Sequence, residues 1–175
     1  LTGVAATRTM AAAPQPVTKI DSRRELFVEK TLIEQLSAGA RLQLHHPVPQ
    51  EVSFVCDKPW EGATCGYMKV FRDGALYRMY YRGSDVVYTK EGFRDPHPQV
   101  ACYAESHDGV HWAKPELGLF EYEGSKKNNI IWMGSGSHNF APFLDTNPHC
   151  PPQARYKALA GDFKQGLQAF VSAGG

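Results

Sequence analysis

Between Gly66 and Pro115 the chain alternates apolar and polar side chains with a period of two, in runs separated by turn signals. "GYMKVF" (66–71) passes through "RDG" into "ALYRMYYRG" (75–83). In that second run Tyr77, Met79 and Tyr81 share one face, and Leu76, Arg78 and Tyr80 share the other. Its aromatic content favours strand over helix. After a charged loop with two prolines, "SDVVYTKEGFRDPHPQ", the run "VACYAES" (100–106) predicts a third strand, "HDG" a turn and "VHWAKP" (110–115) a fourth. Four successive antiparallel strands of this length make one twisted sheet. Upstream, "ARLQLHHPVP" sets Leu42 and Leu44 against polar neighbours as a half-buried strand would, and "RRELFVEKTLIE" (23–34) reads as a strand pair or a short helix.

The unit recurs. "YRMYYRG" (77–83) matches "YKALAGD" (156–162), and "CYAESHDG" (102–109) matches "AFVSAGG" (169–175), which puts Ser106 and Ser172 66 residues apart. That period suits a four-stranded propeller blade with long loops. The predicted fold class is therefore all-β, a β-propeller, with blade one at about 60–115 and an incomplete blade two at about 138–175. In "SHDGVHW" (106–112), Asp-Gly supplies the positive backbone angles of a tight turn, and Ser106 and Asp108 can bond the turn amides. Trp112 is expected to pack between adjacent sheets. These residues are architectural. Two blades do not close a propeller, so a longer natural protein is expected.

Composition narrows the function classes. A net charge of +1, with no run of Lys and Arg, gives no electrostatic footprint for nucleic acid. No stretch approaches the roughly 20 apolar residues of a membrane span. Residues 1–20 read as an export-signal remnant or a disordered leader, with small residues leading up to Pro14, and 21–175 as the N-terminal part of the propeller. Export implies a periplasmic or extracellular bacterial protein. Cys56, Cys65, Cys102 and Cys150 form no CxxC pair and no zinc-finger spacing. They read either as small buried residues or, in an exported protein, as partners for a disulfide, with Cys56 and Cys65 the closest pair. His45–His46 lacks a third ligand at metal spacing, so neither metal nor cofactor is expected.

The run "AESHDGVHWAKPELGLFEYEGSKKNNIIW" resembles the five-bladed β-propeller glycoside hydrolases, the grouping of invertases, levansucrases and arabinanases, in which a Ser-x-Asp-Gly-x-x-Trp hairpin is a frequent blade element. From "RELFVEK" to "ARYKALAG" the chain looks like uncharacterised exported members of that superfamily from planctomycete-type bacteria. The sialidase Asp box is a weaker match, because Gly109 follows Asp108 one residue too soon.

The resemblance implies hydrolysis of glycosidic bonds in plant or algal poly- and oligosaccharides, by acids that point from innermost strands into a central funnel. Carried over by position, the first acid falls in "DKPWEGATCGY", where Glu61 is preferred to Asp57 as nucleophile or base. The second falls in "FLDTNP", making Asp145 the transition-state stabiliser. The general acid would belong to a later blade. Trp60 could stack on a sugar, and His138 and Asn139 could line the funnel as hydrogen-bond donors. "RDP" (94–96) copies the invertase triplet but sits between strands two and three, the wrong place for a funnel acid. The Asp-Pro-Asn style motif of the family is absent near Glu61, which feeds an alternative: a non-catalytic carbohydrate-binding or structural propeller.

Overall fold

A computed structural model describes residues 17–26 and 28–175. The chain divides at Pro49 into two units. In the first, the described residues form turns and extended chain without a helix or strand, and Leu42 and Leu44 are exposed. The strand expected there is not formed, nor is the strand pair or helix at 23–34. The leader reading falls almost wholly on residues 1–16, outside the described residues. No described helix is long and apolar enough to cross a membrane.

The second unit, 50–175, is all-β and antiparallel. Its strands are β1 (Gly66–Asp73), β2 (Leu76–Gly83), β3 (Val87–Thr89), β4 (Gly92–Arg94), β5 (Val100–Ser106), β6 (Ile130–Met133), β7 (Ala141–Leu144), β8 (Tyr156–Asp162) and β9 (Gly166–Ser172). They form a four-stranded sheet β1-β2-β5-β6, a three-stranded sheet β7-β8-β9, and the small hairpin β3-β4 inserted between β2 and β5.

The repeat read from the sequence holds at the level of register. Tyr77 faces Ser106 across β2 and β5, and Tyr156 faces Ser172 across β8 and β9. The link between those strands is sixteen residues in the first sheet (84–99) and three in the second (163–165). That difference of thirteen is also the difference between the tyrosine spacing, 79, and the serine spacing, 66. The β3-β4 hairpin is thus an insertion into an otherwise common meander.

Residues 110–115 do not continue the first sheet as a full strand; a lone bridge joins Glu105 to Ala113. Asp108 Oδ1 accepts the amides of Val110 and His111, both at 2.8 Å, which bends the chain away from β5. Pro115 has no N–H to extend a ladder. The edge is taken instead by β6, so this sheet runs to Met133, beyond the limit expected for blade one. The Ser106 turn itself forms as expected, its hydroxyl accepting the amides of Asp108 and Gly109 at 3.2 and 2.9 Å.

While β1 is largely exposed, the central strands β2 and β5 of the first sheet are buried on both faces. On one, Met79, Tyr81, Val100, Cys102, Ala104 and Ile130 form the core, covered by Phe54, Trp60, Trp112 and Tyr122 among others. Trp112 therefore packs on this face rather than between the two sheets. The other face carries Arg78, Tyr80 and Tyr103 and meets the second sheet. There Tyr156 Oη donates to Asp73 at 2.5 Å, and the rings of Trp132 and Phe170 meet edge to face at 5.5 Å. A cavity of about 480 Å³ between the sheets is lined by Arg78, Tyr103, Tyr156 and Phe170.

Candidate functional site

Glu61 is completely buried. Lys114 Nζ lies 2.7 Å from its Oε1 and 2.8 Å from its Oε2. Tyr81 Oη donates to Oε1 at 2.5 Å, and the Lys58 amide donates to Oε2 at 2.9 Å. Lys114 also reaches Asp57 at 3.0 Å and the Val55 carbonyl at 2.6 Å. Burial pushes the Tyr81 phenol well above its ordinary pKa, with Cys102 and Glu61 adding to the shift, so the hydroxyl stays a donor. Burial pulls the Lys114 ammonium down, but its bonds to Glu61 and Asp57 outweigh that and raise it. Asn129 extends the network by donating to Tyr81 Oη and the Tyr103 carbonyl, both at 2.6 Å, while accepting Trp60 Nε1 at 2.7 Å. Trp60 and Glu61 are brought together as an internal tie between the 54–65 segment, β2, β5 and Lys114. A carboxylate so enclosed has no path to a substrate.

Asp145 follows β7. Its backbone amide donates to the Arg155 carbonyl at 2.9 Å, and its carboxylate accepts the Asn147 amide at 2.9 Å and pairs with Lys157. A pocket of about 290 Å³ is lined by Asp145, Asn147, Cys150 and Arg155. The bond from Lys157, helped by the Asn147 amide, holds the Asp145 carboxyl down at about 2. A depressed folded-state pKa means that this stabilisation is complete above the ordinary carboxyl range and is lost as pH falls through about 2. Lys157→Met should therefore flatten the loss of stability between about pH 4 and 2, read as the difference between wild-type and variant unfolding curves. An unchanged difference across that window would remove the pair from the acid response.

The structure does not bring Glu61 and Asp145 together. Glu61 bonds Tyr81 on the first sheet's core face, whereas the sheet that carries Asp145 packs on the opposite face. Asp145 also lies where β7 finishes, beside Tyr156, whose hydroxyl reaches Asp73 at the finish of β1. Glu61 precedes the start of β1. The expected pairing of these two acids is corrected on both grounds.

A different group gathers at the leading end, where β1, β5 and β7 begin. Between Gly66 and Lys69 the β1–β2 register slips, and within that bulge Tyr67 adopts a left-handed φ of 55°. A bulge re-aims a side chain, and a non-glycine residue in this region stores strain. Tyr67 is 61% exposed. Arg82, at the end of β2, places its guanidinium 4.5 Å from the centre of the Tyr67 ring and donates to the Thr64 carbonyl at 2.9 Å. Its Nη1 lies 3.2 Å from His138 Nε2, and its buried Nε has no partner among the described residues. No described carboxylate pairs with Arg82. His138 sits in the 3₁₀ turn Ser137–Asn139 before β7, 2.7 Å from Gln99 Oε1, with its ring 5.3 Å from that of Tyr67. Burial, then the charge of Arg82, lowers the His138 pKa against the pull of Asp95, which keeps the imidazole neutral at neutral pH. Asn139 Oδ1 accepts the Gly161 amide at 3.1 Å, so this residue ties the turn to β8.

Of the predicted binding residues, His138 stands in this cluster, Asn139 beside it in a structural bond, and Trp60 in the core. Tyr67, Arg82 and Gln99 were not singled out from the sequence. Arg82 alternates in phase with Arg78 and Tyr80, but only the fold brings His138, 56 residues away, against it. Among the described residues no three His, Cys, Asp or Glu side chains are placed to hold a metal ion.

Two proteins of Mycobacterium tuberculosis resemble part of the chain. Uncharacterized protein Rv1502 of strain H37Rv and uncharacterized protein MT1551 of strain CDC 1551 are each 44% identical to it over 59 residues, which is 34% of this chain and 19% of theirs. The chain thus matches about a fifth of the length of these relatives. No family model matches the chain, and no solved structure matches it significantly.

Proposed function

We propose that residues 50–175 are two neighbouring blades of a β-propeller of the glycoside hydrolase type, in an exported protein, and that they bind plant or algal glycan at the leading end of their strands. The two sheets share one meander and one register, as successive blades do. The outward face of the second sheet leaves Phe143, Leu159, Leu167 and Val171 exposed, an apolar surface of the kind on which a following blade packs.

One observation carries the binding reading: an exposed tyrosine, held on a strained bulge, lies beside a neutral histidine and an arginine that pairs with no described carboxylate. A sugar ring presents an apolar C–H face that stacks on an aromatic, and hydroxyls that accept from a guanidinium. The few convergent polar groups on a fixed frame are what a small-ligand site requires. Glu61 contributes no chemistry here, since hydrolysis needs two carboxyls flanking one bond, and its own is neutralised inside the protein.

Hydrolysis is the second reading. It is favoured by Asp145, an ionised carboxylate lining an open pocket, which would serve as stabiliser for acids contributed by other parts of a longer protein. Binding and turnover screens on arabinan, fructan and xylan separate the two. Binding lost in Tyr67→Ala, without turnover, supports the binding reading. Turnover that falls in Asp145→Asn supports hydrolysis. Neither binding nor turnover on any glycan would overturn both.

A further inference from the structure

Cys56 and Cys65 are nine residues apart in sequence, yet their sulfurs lie 2.9 Å apart. Both side chains are half-buried, and both are free thiols. A disulfide bond needs the sulfurs to close to about 2.0 Å, a movement well within side-chain rotation when they already converge. The segment between them carries several ties to the core: the Lys58 amide on Glu61, Trp60 on Asn129, and the Glu61 carboxylate on Tyr81. One residue beyond Cys65 begins the bulge that aims Tyr67.

We infer that Cys56 and Cys65 are an oxidation site that closes an intrachain disulfide and locks this segment onto the first sheet. The chemistry is thiol–disulfide exchange with a small or protein disulfide. One cysteine thiolate attacks a sulfur of the oxidant, expelling one thiolate and leaving a mixed disulfide. The other cysteine, as thiolate, then attacks the protein sulfur of that bond and expels the second thiolate. Two protein thiols are oxidised, one disulfide is reduced to two thiols, and both protons pass to the leaving sulfurs. Burial, and then the neighbouring Cys56, raise the Cys65 thiol above its ordinary pKa. Burial, with Glu61, Cys65 and Cys56 adding to it, raises the Cys102 thiol, and this residue is completely buried in β5, where an oxidant does not reach it. Cys150 belongs to the Asp145 pocket.

The test is to equilibrate the whole chain with glutathione disulfide or with excess dithiol, block free thiols, and digest after aromatic residues without reduction. Cleavage after Trp60 separates the two cysteines. The expected result is a cross-linked Cys56–Cys65 peptide, two hydrogens lighter than its parts, with Cys102 and Cys150 blocked. The oxidised protein should melt roughly 5–10 °C above the reduced one, and Cys56→Ser/Cys65→Ser should lose that difference. Should the double variant fail to fold, the wild-type peptide map still decides. Blocking agent on both Cys56 and Cys65 after oxidation, or a cross-link through Cys102 or between chains, would overturn the inference.

Discussion

Lys114→Met is expected to destabilise the protein by about 3–5 kcal/mol, the usual result of removing one member of a buried ion pair. The substitution leaves Glu61, without any solvent exposure, facing only the Tyr81 hydroxyl and the Lys58 amide. It also frees the Val55 carbonyl and Asp57 from their shared ammonium. Glu61→Gln should cost less, about 1–3 kcal/mol, since the amide keeps the shape and Lys114 keeps Asp57. Combining Glu61→Gln with Lys114→Met should recover part of the loss, because no unpaired charge then stays inside. Urea unfolding of the four proteins gives the coupling directly, provided the slope is unchanged. Strict additivity, or a Lys114→Met cost under about 1 kcal/mol, would show that this carboxylate is not the internal tie described here. It would also reopen Glu61 as a residue for chemistry.

Tyr67→Ala should weaken glycan binding at least tenfold while leaving the melting temperature near that of the wild type. Tyr67 is largely exposed, and in the proposed site its ring is the stacking surface. Loss of a central aromatic contact costs about 2 kcal/mol or more in binding, and each 1.4 kcal/mol is about tenfold. Alanine still carries the left-handed strain of the bulge, whereas Tyr67→Gly relieves it. Comparing the two separates the ring from the backbone that holds it. Arg82→Gln should weaken binding by a similar factor. It should also raise the His138 pKa, since burial and the guanidinium charge are what hold it down. An NMR titration of the imidazole reads that second effect independently of any ligand. Wild-type affinity in both Tyr67→Ala and Arg82→Gln would remove this cluster from recognition.

The sheets were legible because their signal is local. A period of two, the "RDG" turn and the Ser-Asp-Gly turn locate β1, β2 and β5 within a residue or two, and the same pattern returns in β8 and β9. The fourth strand was misread for an equally local reason. "VHWAKP" has strand composition, but Asp108 takes the amides of Val110 and His111, and the ladder resumes only at Ile130. Leu42 and Leu44 alternate like a strand yet are 41% and 83% exposed, because no described strand pairs with them. Alternation identifies a strand only where a partner completes it.

The site was less legible because its residues depend on distant chain. Glu61 reads as a nucleophile or base until Lys114, 53 residues later, is placed against it. Asp145 keeps its ionised form and its pocket, but at the finishing end of β7. His138 was found from its place before a strand, while Arg82 and Tyr67 were hidden in an ordinary alternating pattern. The Tyr67 backbone conformation has no sequence signature at all.

The central claim, that ligand is met where the strands of the two sheets begin, is tested most directly by mapping backbone amide shifts during titration with arabinan or xylan oligosaccharides. The predicted result is a saturable set of shifts at Tyr67, Met68, Arg82, Gln99 and His138. Shifts confined to Asp145, Asn147, Cys150 and Arg155 would contradict it.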